Sequence, residues 1–177
     1  MKSGHPDRID PIKLAQAGQT VSGQSLGAAL SRWAESSADP ARCGPVDWSA
    51  HFELRTDAAG RDVAWMNLQA KAGLQLVCQR CLLTMDWHQH LEREYRFVAT
   101  ESQALELDSD TEEDLLALDQ ALDLLALVED ELIMDLPMVP MHEVCPKPVR
   151  LATQTPDFQE APPVFSALAS LKDLKKD

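Results

Sequence analysis

A chain of 177 residues is long enough for one compact domain with tails, and its 45% apolar content can fill a core. Only 5% is aromatic, so that core must lean on Leu, Ala, Val and Met. The net charge of −13 is concentrated: Glu101 to Asp135 carries 13 acids and no Lys or Arg, and the rest is balanced at 16 against 16, so no broad basic face for gripping duplex phosphates is evident and only local basic patches are open. The N-terminus has no apolar run of signal-peptide length, and no run approaches the roughly 20 residues that span a bilayer, so a cytoplasmic protein is expected.

Residues 1–23 are polar, with Asp10-Pro11 able to start one short helical turn through Leu14 and Ala17. Ser25 to Ser36 reads as a helix, because Leu26, Ala29, Leu30 and Trp33 fall three and four apart. After Asp39-Pro40 and Gly44-Pro45 the period changes to two. In Asp47 to Arg55, Trp48, Ala50, Phe52 and Leu54 alternate with polar residues; the alternation resumes over Asp62 to Leu76 and again over Trp87 to Phe97. Short turns between these segments predict an antiparallel meander, as a sheet or a small, partly open barrel, in an α+β fold. Its faces predict that Phe52, Leu68, Leu74 and Leu91 are more buried than His51, Gln69, Gln75 and Glu92.

Residues 101–120 are acidic and without clear periodicity, which predicts a solvated loop with room for one helical turn. Ala121 to Leu136 is a helix former that packs Leu125, Val128 and Leu132 inward and turns Asp123, Asp130, Glu131 and Asp135 to solvent; Pro137 and Pro140 end it. The expected compact domain is 1–145. Beyond it, 146–177 is a Pro-rich tether closed by a short amphipathic segment with Phe165, Leu168 and Leu171 three apart, followed by Lys172, Lys175 and Lys176. Those three apolar residues are candidates for partner binding.

Of the four cysteines, Cys78 and Cys81 form a CxxC between the second and third strand segments, where both thiolates can turn to one ion at a hairpin tip. His142 and Cys145, three apart, offer a second half-site, so Cys78, Cys81, His142 and Cys145 are a candidate Cys3His zinc set. The same residues also fit a plain alternative of semi-buried thiols and a surface histidine. A redox CxxC is disfavoured because strands flank it on both sides, and Cys43 lacks a nearby partner. His88 and His90 share one sheet face and read as exposed polar residues. No GxSxG, P-loop, HExxH or GxGxxG is present, so no enzymatic activity is expected.

Three segments in order resemble the YceD family of large ribosomal RNA subunit accumulation proteins: LQLVCQRCLLTM (74–85), ALDLLALVEDELIMDLPMVPMHEVC (121–145) and PPVFSALASLK (162–172). The similarity spans roughly Ile9 to Lys172. Two departures are the Pro163-Val164-Phe165 where relatives carry Asn-Pro-Phe, and Cys145 as the lone cysteine after the Leu-Pro segment. The resemblance implies a non-catalytic role in ribosome biogenesis, in the accumulation of 23S ribosomal RNA. Two modes of action follow from the residues. Lys71, Arg80, Arg93 and Arg96 are candidate RNA contacts, to single-stranded or loop RNA, which would leave the acidic stretch facing away. Alternatively the chain is an acidic adaptor for a basic ribosomal protein or assembly factor.

Overall fold

The computed structural model describes residues 9–57, 59–108, 113–118 and 122–147. Among them, five strands form one open sheet in the order of the chain, β1 (Thr20–Ser25), β2 (Val46–Thr56), β3 (Asp62–Val77), β4 (Thr84–Val98) and β5 (Asp114–Ala117). Four helices accompany it: α1 (Pro11–Gln16), α2 (Ser31–Glu35), α3 (Glu101–Asp108) and α4 (Leu124–Met134). The expected α+β class and central meander are therefore present, as an open sheet and not as a barrel. Packing divides the chain into units Met1–Cys145 and Pro146–Asp177. The tether and its Phe165, Leu168 and Leu171 lie outside the described residues.

Strands β2, β3 and β4 follow directly from the period of two. Phe52, Leu68, Leu74 and Leu91 are almost fully buried, whereas His51, Gln69 and Glu92 are exposed and Gln75 half-exposed. Directly opposed residues of an antiparallel pair share a face. Leu68 thus sits between Ala50 and Arg93, and Lys71 between Asp47 and His90 on the other, polar face. Phe52 and Phe97 stack at 6.3 Å between ring centroids and anchor the core. α4 lies on this apolar face through Leu124, Val128 and Leu132. Asp123 caps its start, accepting from Ala126 N at 2.9 Å.

Three expectations are corrected. The Ser25–Ser36 helix is interrupted: a short 3-10 turn at Gly27–Ala29 precedes the five-residue α2. Gly27 lies so close to the chain at Cys43 and Gly44 that a Cβ would come within 2.5 Å of the Gly44 carbonyl oxygen, and Leu30 leaves helical geometry. Leu30 and Trp33 still reach the core, but Leu26 and Ala29 are exposed. The acidic stretch is not one loop: α3 acts as the crossover that a parallel strand requires, and β5 joins β4 in parallel, so the sheet is mixed. Half-buried Leu115 to Leu118 supply the apolar reason. Finally, Glu131, expected in solvent, is buried with Arg93 Nε 3.3 Å from its carboxylate, while Leu124 takes the inward place assigned to Leu125.

Candidate functional site

The β3–β4 hairpin ends in the turn Cys78-Gln79-Arg80-Cys81. Its backbone closes through Cys78 N to Leu83 O and Leu82 N to Cys78 O, leaving Leu82 at φ 59. Residues 137–145 return to this tip after α4. Pro137, Pro140 and Pro146 deny the segment a helix, and Gln79 N donates to Pro140 O at 2.8 Å.

The return brings all four expected ligands together. The donor atoms of Cys78, Cys81, His142 and Cys145 lie within 4.8 Å of one another. Cys78 Sγ is 4.0 Å from Cys145 Sγ, and Cys81 Sγ is 3.4 Å from His142 Nδ1. A tetrahedral ion with metal–sulfur bonds of about 2.3 Å and metal–nitrogen bonds of about 2.0 Å separates sulfurs by about 3.8 Å and sulfur from nitrogen by about 3.5 Å. The group therefore has the size and donor chemistry to hold a metal ion. The four cysteines are free, and a disulfide would bring its sulfurs to about 2.05 Å.

The surroundings prepare these thiols unequally. Burial opposes ionisation of Cys78 and is the largest single influence on it. Backbone N–H groups of His142, Cys81 and Arg80 nevertheless outweigh burial together and bring its thiol down to about 5. His142 N donates to that sulfur at 3.4 Å. Cys81 is pushed up, first by burial and then by its neighbouring sulfurs. Arg80 donates to Cys145 Sγ at 3.1 Å and to the carbonyl oxygens of His142 and Glu143 at 2.7 and 3.3 Å, and the sulfur contact raises its own pKa. Arg80 is thus a staple across the group. That role was not legible in the sequence, because its partners stand more than 60 positions away.

The other basic candidates do not gather with it. Arg93 lies on the helix-covered face, paired with Glu131. Arg96 lies on the polar face, mostly covered and 3.1 Å from Glu113. Lys71, on that same face, is exposed and forms no ion pair among the described residues. The four bases therefore occupy separate places, and two are neutralised by the acidic stretch that was expected to stand apart from them. His88 and His90 are exposed on the polar face as expected, and Cys43 stays outside the ligand group, its Sγ 4.0 Å from Ala34 O. Among the described residues no helix is long and apolar enough to cross a membrane.

These features define a small α+β protein with a Cys3His group at a hairpin tip that has the size and donor chemistry to hold a metal ion. The model of the YceD family, described as "Large ribosomal RNA subunit accumulation protein YceD", matches residues 66–175, spanning the hairpin, α4 and the returning segment. The chain belongs to that family. It is also similar to the Haemophilus influenzae protein named Large ribosomal RNA subunit accumulation protein YceD, with 30% identity over 174 residues, 94% of this chain and 95% of that one. No solved structure matches the chain.

Proposed function

We propose that this protein promotes the accumulation of large-subunit ribosomal RNA in the cytoplasm as a binding factor without catalysis, and that Cys78, Cys81, His142 and Cys145 hold one structural zinc ion. The role is supported by family membership and by the name of the relative. The non-catalytic part is supported by the composition of the donor set: four protein ligands would fill a tetrahedral ion and leave it no position for a reacting water. The ion would join the hairpin to a segment more than 60 residues away along the chain.

Its contact with the ribosome pathway runs through a partner in the pre-large-subunit particle. Broad phosphate binding is disfavoured because Arg80, Arg93 and Arg96 are already engaged within the protein. Lys71, with His88 and His90 nearby, leaves a small site for a local RNA contact. The test is twofold. Deleting the gene should lower large-subunit RNA relative to small-subunit RNA, and the purified protein should contain one zinc per chain. Unchanged RNA ratios would refute the role; a metal-free protein after gentle preparation would refute the zinc.

A further inference from the structure

The sulfurs of Cys78, Cys81 and Cys145 lie within 4.8 Å of one another, and all three cysteines are free. A shared metal ion is one way for such sulfurs to hold a chain together; oxidation to a disulfide is the other. Proximity alone permits three pairings, and along the chain the CxxC of Cys78 and Cys81 stands out.

The geometry favours a different pair. Cys78 Sγ and Cys145 Sγ are 4.0 Å apart, so they need approach by only about 2 Å to reach the bonded distance of about 2.05 Å. Cys81 Sγ instead faces His142 Nδ1 at 3.4 Å. Cys81 also sits in the tight turn closed by Cys78 N on Leu83 O and Leu82 N on Cys78 O. Cys145 lies on residues 136–147, which form no helix or strand whose ladder would resist a small shift. Of the favoured pair, Cys145 is partly exposed and Cys78 fully buried, so an oxidant from solvent reaches Cys145 first. Arg80 Nε, 3.1 Å from Cys145 Sγ, holds a cation beside that sulfur.

We propose that an oxidant of the peroxide class exchanges the ion for a disulfide between Cys78 and Cys145, so that the hairpin tip stays clasped to the returning segment with or without metal. As ligands both cysteines are thiolates. The Cys145 sulfur attacks one peroxide oxygen, the O–O bond breaks, and hydroxide leaves with the electron pair, giving a sulfenic acid. The Cys78 sulfur then attacks the Cys145 sulfur, the S–S bond forms and a second hydroxide departs. Two electrons pass from the sulfurs to one peroxide, and solvent protons turn both hydroxides into water. Only Cys81 and His142 remain for the ion, which dissociates. The bridge joins positions 67 apart, and closing so long a loop restrains the unfolded chain more than a CxxC bridge would. In a reducing compartment thiol exchange opens it again, which makes the change reversible. The inference rests on the proposed zinc for the ion, and on the sulfur geometry alone for the bridge.

The test uses the full chain loaded with zinc, and stoichiometric hydrogen peroxide as the probe. Unreacted thiols are alkylated and the protein is cut with trypsin, which cleaves after Arg80 and so separates Cys78 from Cys81. Mass spectrometry should find the peptide of Cys78 joined to that of Cys145, with Cys81 and Cys43 alkylated. One zinc should be released to a chromogenic chelator for each bridge formed. Dithiothreitol with added zinc should restore the starting state, and Cys81→Ser should still form the bridge. In urea, the bridged metal-free protein should unfold at a higher midpoint than the reduced metal-free protein. A Cys78–Cys81 bridge as the main product, a mixture in which Cys43 takes part, or sulfinic and sulfonic acids without a bridge overturns the proposal, as does an unchanged urea midpoint. The two readings fail separately. A bridge formed in a chain that never held zinc removes the ion and keeps the clasp; zinc that stays bound while no bridge forms keeps the ion and removes the clasp.

Discussion

The middle of the sheet and the tip of its longest hairpin are held by different physics. Around Phe52, Leu68, Leu91 and Phe97 the chain is fixed by apolar burial, closed off by α4. At the tip, order comes from four polar donors, a stapling arginine and a few hydrogen bonds, while the apolar side chains point outward. Removing water from apolar surface is non-directional and tolerant of small shifts, but a tetrahedral donor set demands exact identities. Stability therefore resides in the first region, and the Cys3His group in the second.

The sharpest way to separate them is to injure the core. Phe52→Ala should cost about 3–5 kcal/mol, the loss for a fully buried aromatic, and unfold the protein cooperatively at much lower denaturant. An equal loss from Cys145→Ser would erase the distinction. Second in size is the polar link inside the core. Gln89 Oε1 accepts from Trp33 Nε1 at 2.8 Å and its Nε2 donates to Leu132 O at 2.8 Å, tying α2 to β4 and α4. Gln89→Leu should cost about 1–3 kcal/mol in chemical denaturation, since it leaves the indole N–H and the carbonyl unpaired in a buried place.

Metal removal should act on the tip alone. Chelation should speed amide exchange in residues 78–83 and 137–145 while the protected amides of β2, β3 and β4 stay protected. Loss of protection across the whole sheet would make the ion a folding requirement for the domain. The sign of its pH dependence follows from the thiols: protons compete with the ion. Cys81, raised by burial, keeps its proton at neutral pH and must release it on binding, whereas Cys78 is a thiolate down to about 5. Zinc affinity should fall as pH is lowered, most steeply once Cys78 also takes up its proton. An affinity flat from pH 8 to pH 5 would contradict thiolate ligation.

The smallest effect belongs to the surface. Arg32 pairs with Glu129 at 2.8 Å and Asp130 at 2.6 Å, joining α2 to α4, and Glu129 also accepts the backbone N–H of Arg32. Because Arg32 is exposed, Arg32→Ala should lower stability only slightly, and less still in high salt. A larger loss, measured by thermal unfolding, would place part of the core's stability in that ion pair.

The amino-acid sequence by itself determined the three central strands, their inward faces, a helix within 121–136 and the four residues of the Cys3His group. Each rests on local chemistry: alternation, helical spacing, proline placement and the spacing of cysteine and histidine. Only the tertiary structure decided that Gly27 must press against Gly44 and so break the helix around it, and that an acidic stretch would contribute a parallel edge strand. It also decided that Arg80, Arg93 and Arg96 spend their charge inside the protein. Those outcomes depend on pairs of residues far apart along the chain, and no period or motif encodes which distant acid, sulfur or carbonyl a side chain will meet. The exposure at the tip is of the same kind: Met138, Val139 and Val144 read as ordinary apolar residues in the sequence, and only the fold of the described residues shows them exposed.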